Sequence, residues 1–66
     1  MRIQFGRCIR ACKFVSHSAN STLMNAATDN GLYTIAFDTV EEADAAYKQV
    51  LEKGYYDATN NQYSNM

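Results

Sequence analysis

The chain has 66 residues, with six basic and seven acidic side chains and a net charge of −1, which limits it to one small domain. A net-acidic chain with so few basic residues would make only a weak nucleic-acid site, and no apolar run approaches the roughly 20 residues of a membrane span. Two cysteines favour reduced thiols and a cytoplasmic location over a disulfide framework.

The N-terminal segment, residues 1–15, fits two interpretations. As strands, residues 1–5 form a short run, Gly6 a bend and residues 7–15 a second run, but neither face of that run is cleanly apolar. As a helix, the segment has one apolar stripe, formed by Phe5, Cys8, Ile9, Cys12 and Val15. We favour strands, because a hairpin with one helix needs a third strand to be stable in water.

Residues 22–37 are typical of a β-hairpin. Residues 28–31, Thr-Asp-Asn-Gly, bond their own backbone and tolerate positive φ, so they predict the turn. Pairing Ala27 with Leu32 gathers the apolar side chains on one face, which a slip of one residue would destroy. That face consists of Met24, Ala26, Tyr33, Ile35 and Phe37. A short helix over residues 21–29 is the alternative.

Residues 39–53 predict an amphipathic helix with both ends marked. Thr39 and Glu42 fit a capping box, and Gly54 supplies the left-handed residue that ends a helix. The apolar stripe at helical spacing consists of Ala43, Tyr47, Val50 and Leu51. Leu51 is therefore predicted to be buried, and its replacement by alanine to cost about 2–5 kcal/mol.

Together these elements predict an α+β fold, in which one amphipathic helix packs on a small antiparallel sheet of about three strands, in the order β-β-β-α. Residues 1–56 form the compact domain in this prediction, and Tyr55 with Tyr56 could add a short fourth strand. Residues 57–66 are polar and lack periodicity, which predicts a disordered tail. A sheet with so few strands leaves its edges open, and this favours a homo-oligomer.

The cysteines and the single histidine raise a metal or catalytic hypothesis. Cys8, Cys12 and His17 have the spacing C-x3-C-x4-H, but zinc fingers usually carry closer cysteine pairs and a fourth ligand. A Cys–His pair would also need an orienting acid and a pocket, for which so short a chain has little room. We therefore expect no enzyme activity, no metal and no cofactor.

Positive charge is concentrated in residues 1–28, which carry four basic side chains and no acid. Five tyrosines and three phenylalanines exceed what a small core should absorb, so some aromatic rings are expected at a surface. The sequence predicts a non-enzymatic protein–protein interaction module, of the kind found among accessory and inhibitor proteins of bacteria and phages. The predicted partner-binding residues are Arg7, Arg10, Lys13, Tyr55 and Tyr56.

The alternative function is weak RNA or DNA binding through the basic N-terminal strip. Residues 30–37, followed by an acid and a helix, resemble the second half of an RNA-recognition-motif domain, whose sheet aromatics stack on bases. Gly31, Ile35 and Phe37 match the family's strand. Two positions of its stacking rings hold other side chains, Leu32 and Thr34.

Overall fold

The structure, a computed structural model, describes residues 1–65. These residues form one helix and six strands. In chain order they are β1 (Arg2–Phe5), β2 (Cys8–Ser16), β3 (Leu23–Thr28), β4 (Gly31–Ala36), α1 (Val40–Lys53), β5 (Tyr55–Asp57) and β6 (Gln62–Asn65). The strands make one sheet in the order β5-β1-β2-β3-β4-β6. Each neighbouring pair is antiparallel except β1 and β5, which are parallel.

The predicted small antiparallel sheet of about three strands is wrong, because residues 1–65 build a six-stranded mixed sheet. Two segments enlarge it. The helix carries the chain from β4 to the far side of β1, where β5 pairs in parallel. The segment predicted to be a disordered tail, residues 57–66, contains β6, which pairs with β4. Met66, the last residue of that segment, lies outside the described residues.

The β3–β4 hairpin has the predicted register, with Ala27 paired to Leu32 and Met24 paired to Ile35. The turn adopts the positive φ that the sequence predicts, since Gly31 has φ 105°. Four of the five predicted apolar residues are buried, and they are Met24, Ala26, Tyr33 and Ile35. We call the face that carries them, on the side of the core, the inner face. Phe37 follows β4 and packs against this core while half-buried.

The helix begins and ends where the sequence predicts. Thr39 is the N-cap, and its Oγ1 accepts a hydrogen bond from the backbone N–H of Glu42 at 3.1 Å. Gly54 has φ 70° and donates its N–H to the carbonyl of Val50 at 2.8 Å. The left-handed conformation is costly for any residue with a Cβ, so glycine ends the helix here.

The buried stripe of α1 is rotated relative to the prediction. Its buried residues are Ala43, Ala46 and Val50, with Tyr47 half-buried and packed against the core. Leu51 is 55% exposed, so the prediction that it is buried is wrong. Small side chains such as Ala46 let a helix approach a sheet closely, and the helix turns this side inward at the expense of Leu51.

Residues 2–5 and 8–16 form strands, as we favoured for this segment, and β2 contains a β-bulge. Its register against β3 shifts between Cys12 and Phe14, so Lys13 is the extra residue. The bulge reverses the alternation of side chains along the strand. Cys12 and Val15 are both buried, although they are three residues apart, and Phe14 is exposed.

The sheet is strongly curled around its inner face. Phe5 on β1 and Tyr33 on β4 have ring centroids 4.4 Å apart, although two strands lie between theirs. In a flat sheet the two backbones would be about 14 Å apart. The largest fully buried side chains are Ile3, Met24, Ile35 and Val50. Burial of each contributes roughly 1.5–3 kcal/mol, and together they hold α1 on the sheet.

Candidate functional site

The outer face, on the opposite side of the sheet, carries an exposed row of apolar side chains. Phe14 on β2 pairs with Ala27 on β3, and Ala27 pairs with Leu32 on β4. Phe14 is 58% exposed and Leu32 is 37% exposed. We call these three residues the apolar strip. The small side chain of Ala27 lies between the two larger ones.

Polar residues border the apolar strip on one side. The next residue row on the outer face consists of Ser16, Asn25 and Thr34, which pair across the same three strands. The Thr34 hydroxyl donates a hydrogen bond to the Asn25 side-chain oxygen at 2.9 Å. On this one side, the hydrogen-bonded border resembles the polar rim of a protein–protein interface.

The predicted basic strip is divided among different parts of the surface. Arg7 is exposed at the turn between β1 and β2, and Lys13 is exposed at the bulge. Arg10 is half-buried and pairs with Ile3, which places it on the inner face. Within residues 1–65, its buried Nε has no hydrogen-bond partner. The three residues therefore do not form one continuous surface, and binding of RNA or DNA through them stays a prediction.

Arg10 lies close to Tyr33 at one end of the inner face. A hydrogen bond from the Asn30 side chain lowers the pKa of the Tyr33 hydroxyl, and Asn65 and Arg10 lower it further. Its ring stacks on Phe5, and Tyr63 of β6 lies 4.7 Å from Phe5. Tyr33 is therefore a core residue, and this end of the sheet is closed by aromatic rings.

Tyr55 and Tyr56, the two tyrosines predicted to bind a partner, lie next to each other on β5 and point to opposite faces of the sheet. Tyr55 pairs with Arg2, whose guanidinium carbon lies 6.0 Å from the Tyr55 ring centroid. The hydroxyl of Tyr55 donates a hydrogen bond to the Gln4 side chain. Tyr56 packs against the core and donates its hydroxyl to Asn61 at 2.8 Å. Both tyrosines therefore make contacts within the fold, and their role in partner binding stays a prediction.

The cysteines and the histidine are dispersed. Cys8 is exposed and Cys12 is buried, and both are free thiols. Burial raises the pKa of the Cys12 thiol, which disfavours the reactive thiolate. The Nδ1 atom of His17 is 3.0 Å from the Leu23 carbonyl oxygen. Residues 1–65 contain no group of three or more His, Cys, Asp or Glu that could hold a metal ion.

The sequence interpretation missed Phe14 as a surface residue. Strict alternation placed it with Cys8, Arg10 and Cys12 on one face, and that face looked mixed. The mixture of apolar and polar residues on both faces was a signal of a β-bulge. One extra residue in a strand divides its apolar residues into a buried set and an exposed set.

In residues 1–65, no helix is long and apolar enough to cross a membrane. Comparisons of the chain with protein families, with curated protein sequences and with solved structures gave no significant match. The resemblance of residues 30–37 to the RNA-recognition motif therefore has no support beyond the matching residues. In the structure, the outer face of β4 carries Leu32 and Thr34 rather than aromatic rings.

Proposed function

We propose that this chain is a small, non-enzymatic protein–protein interaction module that binds an apolar surface through the apolar strip. The observation that supports it is the exposure of Phe14, a large aromatic side chain on the outer face of β2, at a position where this strand pairs with β3. Aromatic side chains, phenylalanine included, are enriched in protein–protein interfaces, where a few residues carry most of the binding energy. In this proposal the chain is an accessory or inhibitor protein of the kind found in bacteria and phages.

The geometry favours recognition because the apolar strip is preorganised. Its three residues lie on adjacent strands, so binding would not have to order their backbone. The same surface can join two copies of the chain, and we propose a homo-oligomer in the absence of another partner. The free thiols Cys8 and Cys12 suit the cytoplasm, where we propose that the protein acts.

A photo-crosslinking experiment tests this proposal in the cells that naturally express the protein. A photoreactive phenylalanine analogue is placed at position 14 in one variant and at position 51 in the other. Leu51 is the matched control, because it is a large apolar side chain of nearly equal exposure on the helix. We expect a crosslinked product from position 14 and none from position 51.

The mass of the product identifies the partner. Twice the mass of the chain indicates a homo-oligomer, and any other discrete mass indicates a different partner protein. Sedimentation of purified Phe14→Ser and Leu51→Ser proteins completes the test of self-association. We expect Phe14→Ser to weaken association by about tenfold or more and Leu51→Ser to leave it unchanged. Equal crosslinking at both positions, or none at position 14, would contradict the proposal.

A further inference from the structure

A groove of ≈ 590 Å³ lies between α1 and the segment that joins β5 to β6. This volume falls within the range of small-molecule and peptide-anchor sites, about 300–1,000 Å³. The helix forms one wall, the β5–β6 segment forms the other, and the residues after β4 close one end. The groove is lined by residues that include Asp38, Glu42, Ala46, Gln49, Tyr56 and Asn61.

Hydrogen bonds hold the walls of the groove in place. The Asn61 side chain donates to the carbonyl of Ala36 at 3.0 Å and accepts the hydroxyl of Tyr56 at 2.8 Å. The Gln49 side chain donates to the carbonyl of Tyr55 at 3.2 Å, which ties the helix to β5. The groove is therefore a formed feature of the fold, and a ligand would not need to open it.

The groove is negatively charged. Asp38 and Glu42 are the charged side chains of its lining, and neither forms an ion pair within residues 1–65. Its remaining lining is neutral and includes the amide side chains of Gln49 and Asn61. Burial raises the pKa of Tyr56, and the nearby charges of Asp57 and Glu42 raise it further.

Aromatic rings complete the site. Phe37 and Tyr56 line the groove, with ring centroids 6.0 Å apart. A guanidinium group combines a planar face that packs on aromatic rings with a fork of N–H donors that fits carboxylates. A metal ion fits less well, since residues 1–65 offer no group of three or more His, Cys, Asp or Glu ligands.

We propose that this groove binds the guanidinium group of an arginine side chain presented by a segment of a partner protein. The carboxylates of Asp38 and Glu42 accept its N–H groups, and one of the two inclined aromatic rings packs on its planar face. The groove is larger than one side chain, so it also accepts the backbone on either side of the arginine. The site shares no residue with the apolar strip, and each proposal can fail without the other.

Two-dimensional NMR of the full chain tests the site with a short peptide. The probe is the blocked tripeptide Gly-Arg-Gly, and its control replaces arginine with citrulline, which has nearly the same shape but no charge. We expect the arginine peptide to shift the side-chain amide signals of Gln49 and Asn61 with a Kd of about 1 mM, and the citrulline peptide to leave them unshifted.

Paired charge variants locate the binding. Asp38→Asn with Glu42→Gln removes both carboxylates of the groove, and we expect the affinity to fall about tenfold or more. The matched control is Glu41→Gln with Asp44→Asn, which removes the same charge from the first half of the same helix. Glu41 shares the first turn with Glu42, and Asp44 also loses its ion pair with Lys48, 3.0 Å away, so the control pair removes at least as much helix stabilisation as the groove pair. The spectrum of each variant shows directly whether it is folded.

Three results would overturn the proposal. The citrulline peptide could shift the same signals, the control pair could weaken binding as much as the groove pair, or no signal could shift at about 10 mM peptide. Free arginine amide separates two sources of the same chemistry. If it binds as tightly as the tripeptide, the ligand is a small guanidinium compound and the assignment to a partner segment is wrong.

Discussion

The inner and outer faces of the sheet both carry large apolar side chains, but those of the inner face are buried and those of the outer face are exposed. On β4, Ile35 of the inner face is fully buried, whereas Leu32 of the outer face, three residues earlier, is partly exposed. On β2, Val15 is buried and its neighbour Phe14 is exposed. The inner face therefore supplies most of the stability of the domain, and the outer face contributes less to it. Substitutions on the two faces should separate these contributions.

The largest effect is expected from substitutions on β4. Ile35→Ala removes a fully buried side chain and should lower the free energy of unfolding by about 2–5 kcal/mol. Leu32→Ala on the outer face should change it by only about 0.5 kcal/mol. Urea unfolding followed by circular dichroism measures both values. If Ile35→Ala does not fold, Ile35→Val should still cost about 0.5–1.5 kcal/mol. Equal costs on the two faces would contradict the comparison.

A smaller contrast is expected between adjacent residues of the helix. Val50 is fully buried, so Val50→Ala should cost about 1–3 kcal/mol. Leu51→Ala should change the free energy of unfolding by about 0.5 kcal/mol or less, because this side chain is exposed. Thermal and urea unfolding of the two variants measure the difference. A larger loss for Leu51→Ala would mean that the helix presents a different side to the sheet.

The smallest effect concerns the segment after β5, which connects the two edges of the sheet. Hydrogen bonds from the side chain and backbone N–H of Thr59 lower the pKa of the Asp57 carboxyl. A carboxyl with a lowered pKa in the folded state stabilises the fold when ionised. This stabilisation is present above the ordinary pKa of the group and is lost as the pH falls through the folded value.

Asp57→Asn should remove that dependence on pH. We expect the Tm of the unaltered protein to fall more steeply than that of the variant between about pH 5 and about pH 2. Differential scanning calorimetry of both proteins at several pH values measures the two slopes. Parallel slopes would show that the Thr59 hydrogen bonds do not favour the ionised form.

Local signals predicted the hairpin and the helix because short-range physics determines both. The turn at residues 28–31 fixes the register of β3 and β4, and the caps Thr39 and Gly54 fix the ends of α1. The side of the helix that faces the sheet was less predictable. That orientation depends on packing across the core, where Ala46 allows a closer approach than the spacing of Leu51 suggested.

The sheet was underestimated mainly because β6 lacks a readable pattern. The residues of β6 are all exposed, so no alternation of buried and exposed side chains marks the strand. It forms because β4 offers a backbone edge, and the side chain of Asn65 donates to the carbonyl of Asn30 at 3.0 Å. In β2 the bulge at Lys13 broke the alternation, and for this reason the apolar strip was not predicted.

The parallel pairing of β1 with β5 implies that the order of folding differs from the order of synthesis. Arg2 pairs with Tyr55, which is 53 positions later in the chain. Contacts so distant in sequence require a large loop to close and generally slow folding. β1 must therefore wait for the later-synthesised β5 before its free edge is covered. The β3–β4 hairpin, whose turn is local, can form while that edge is still open.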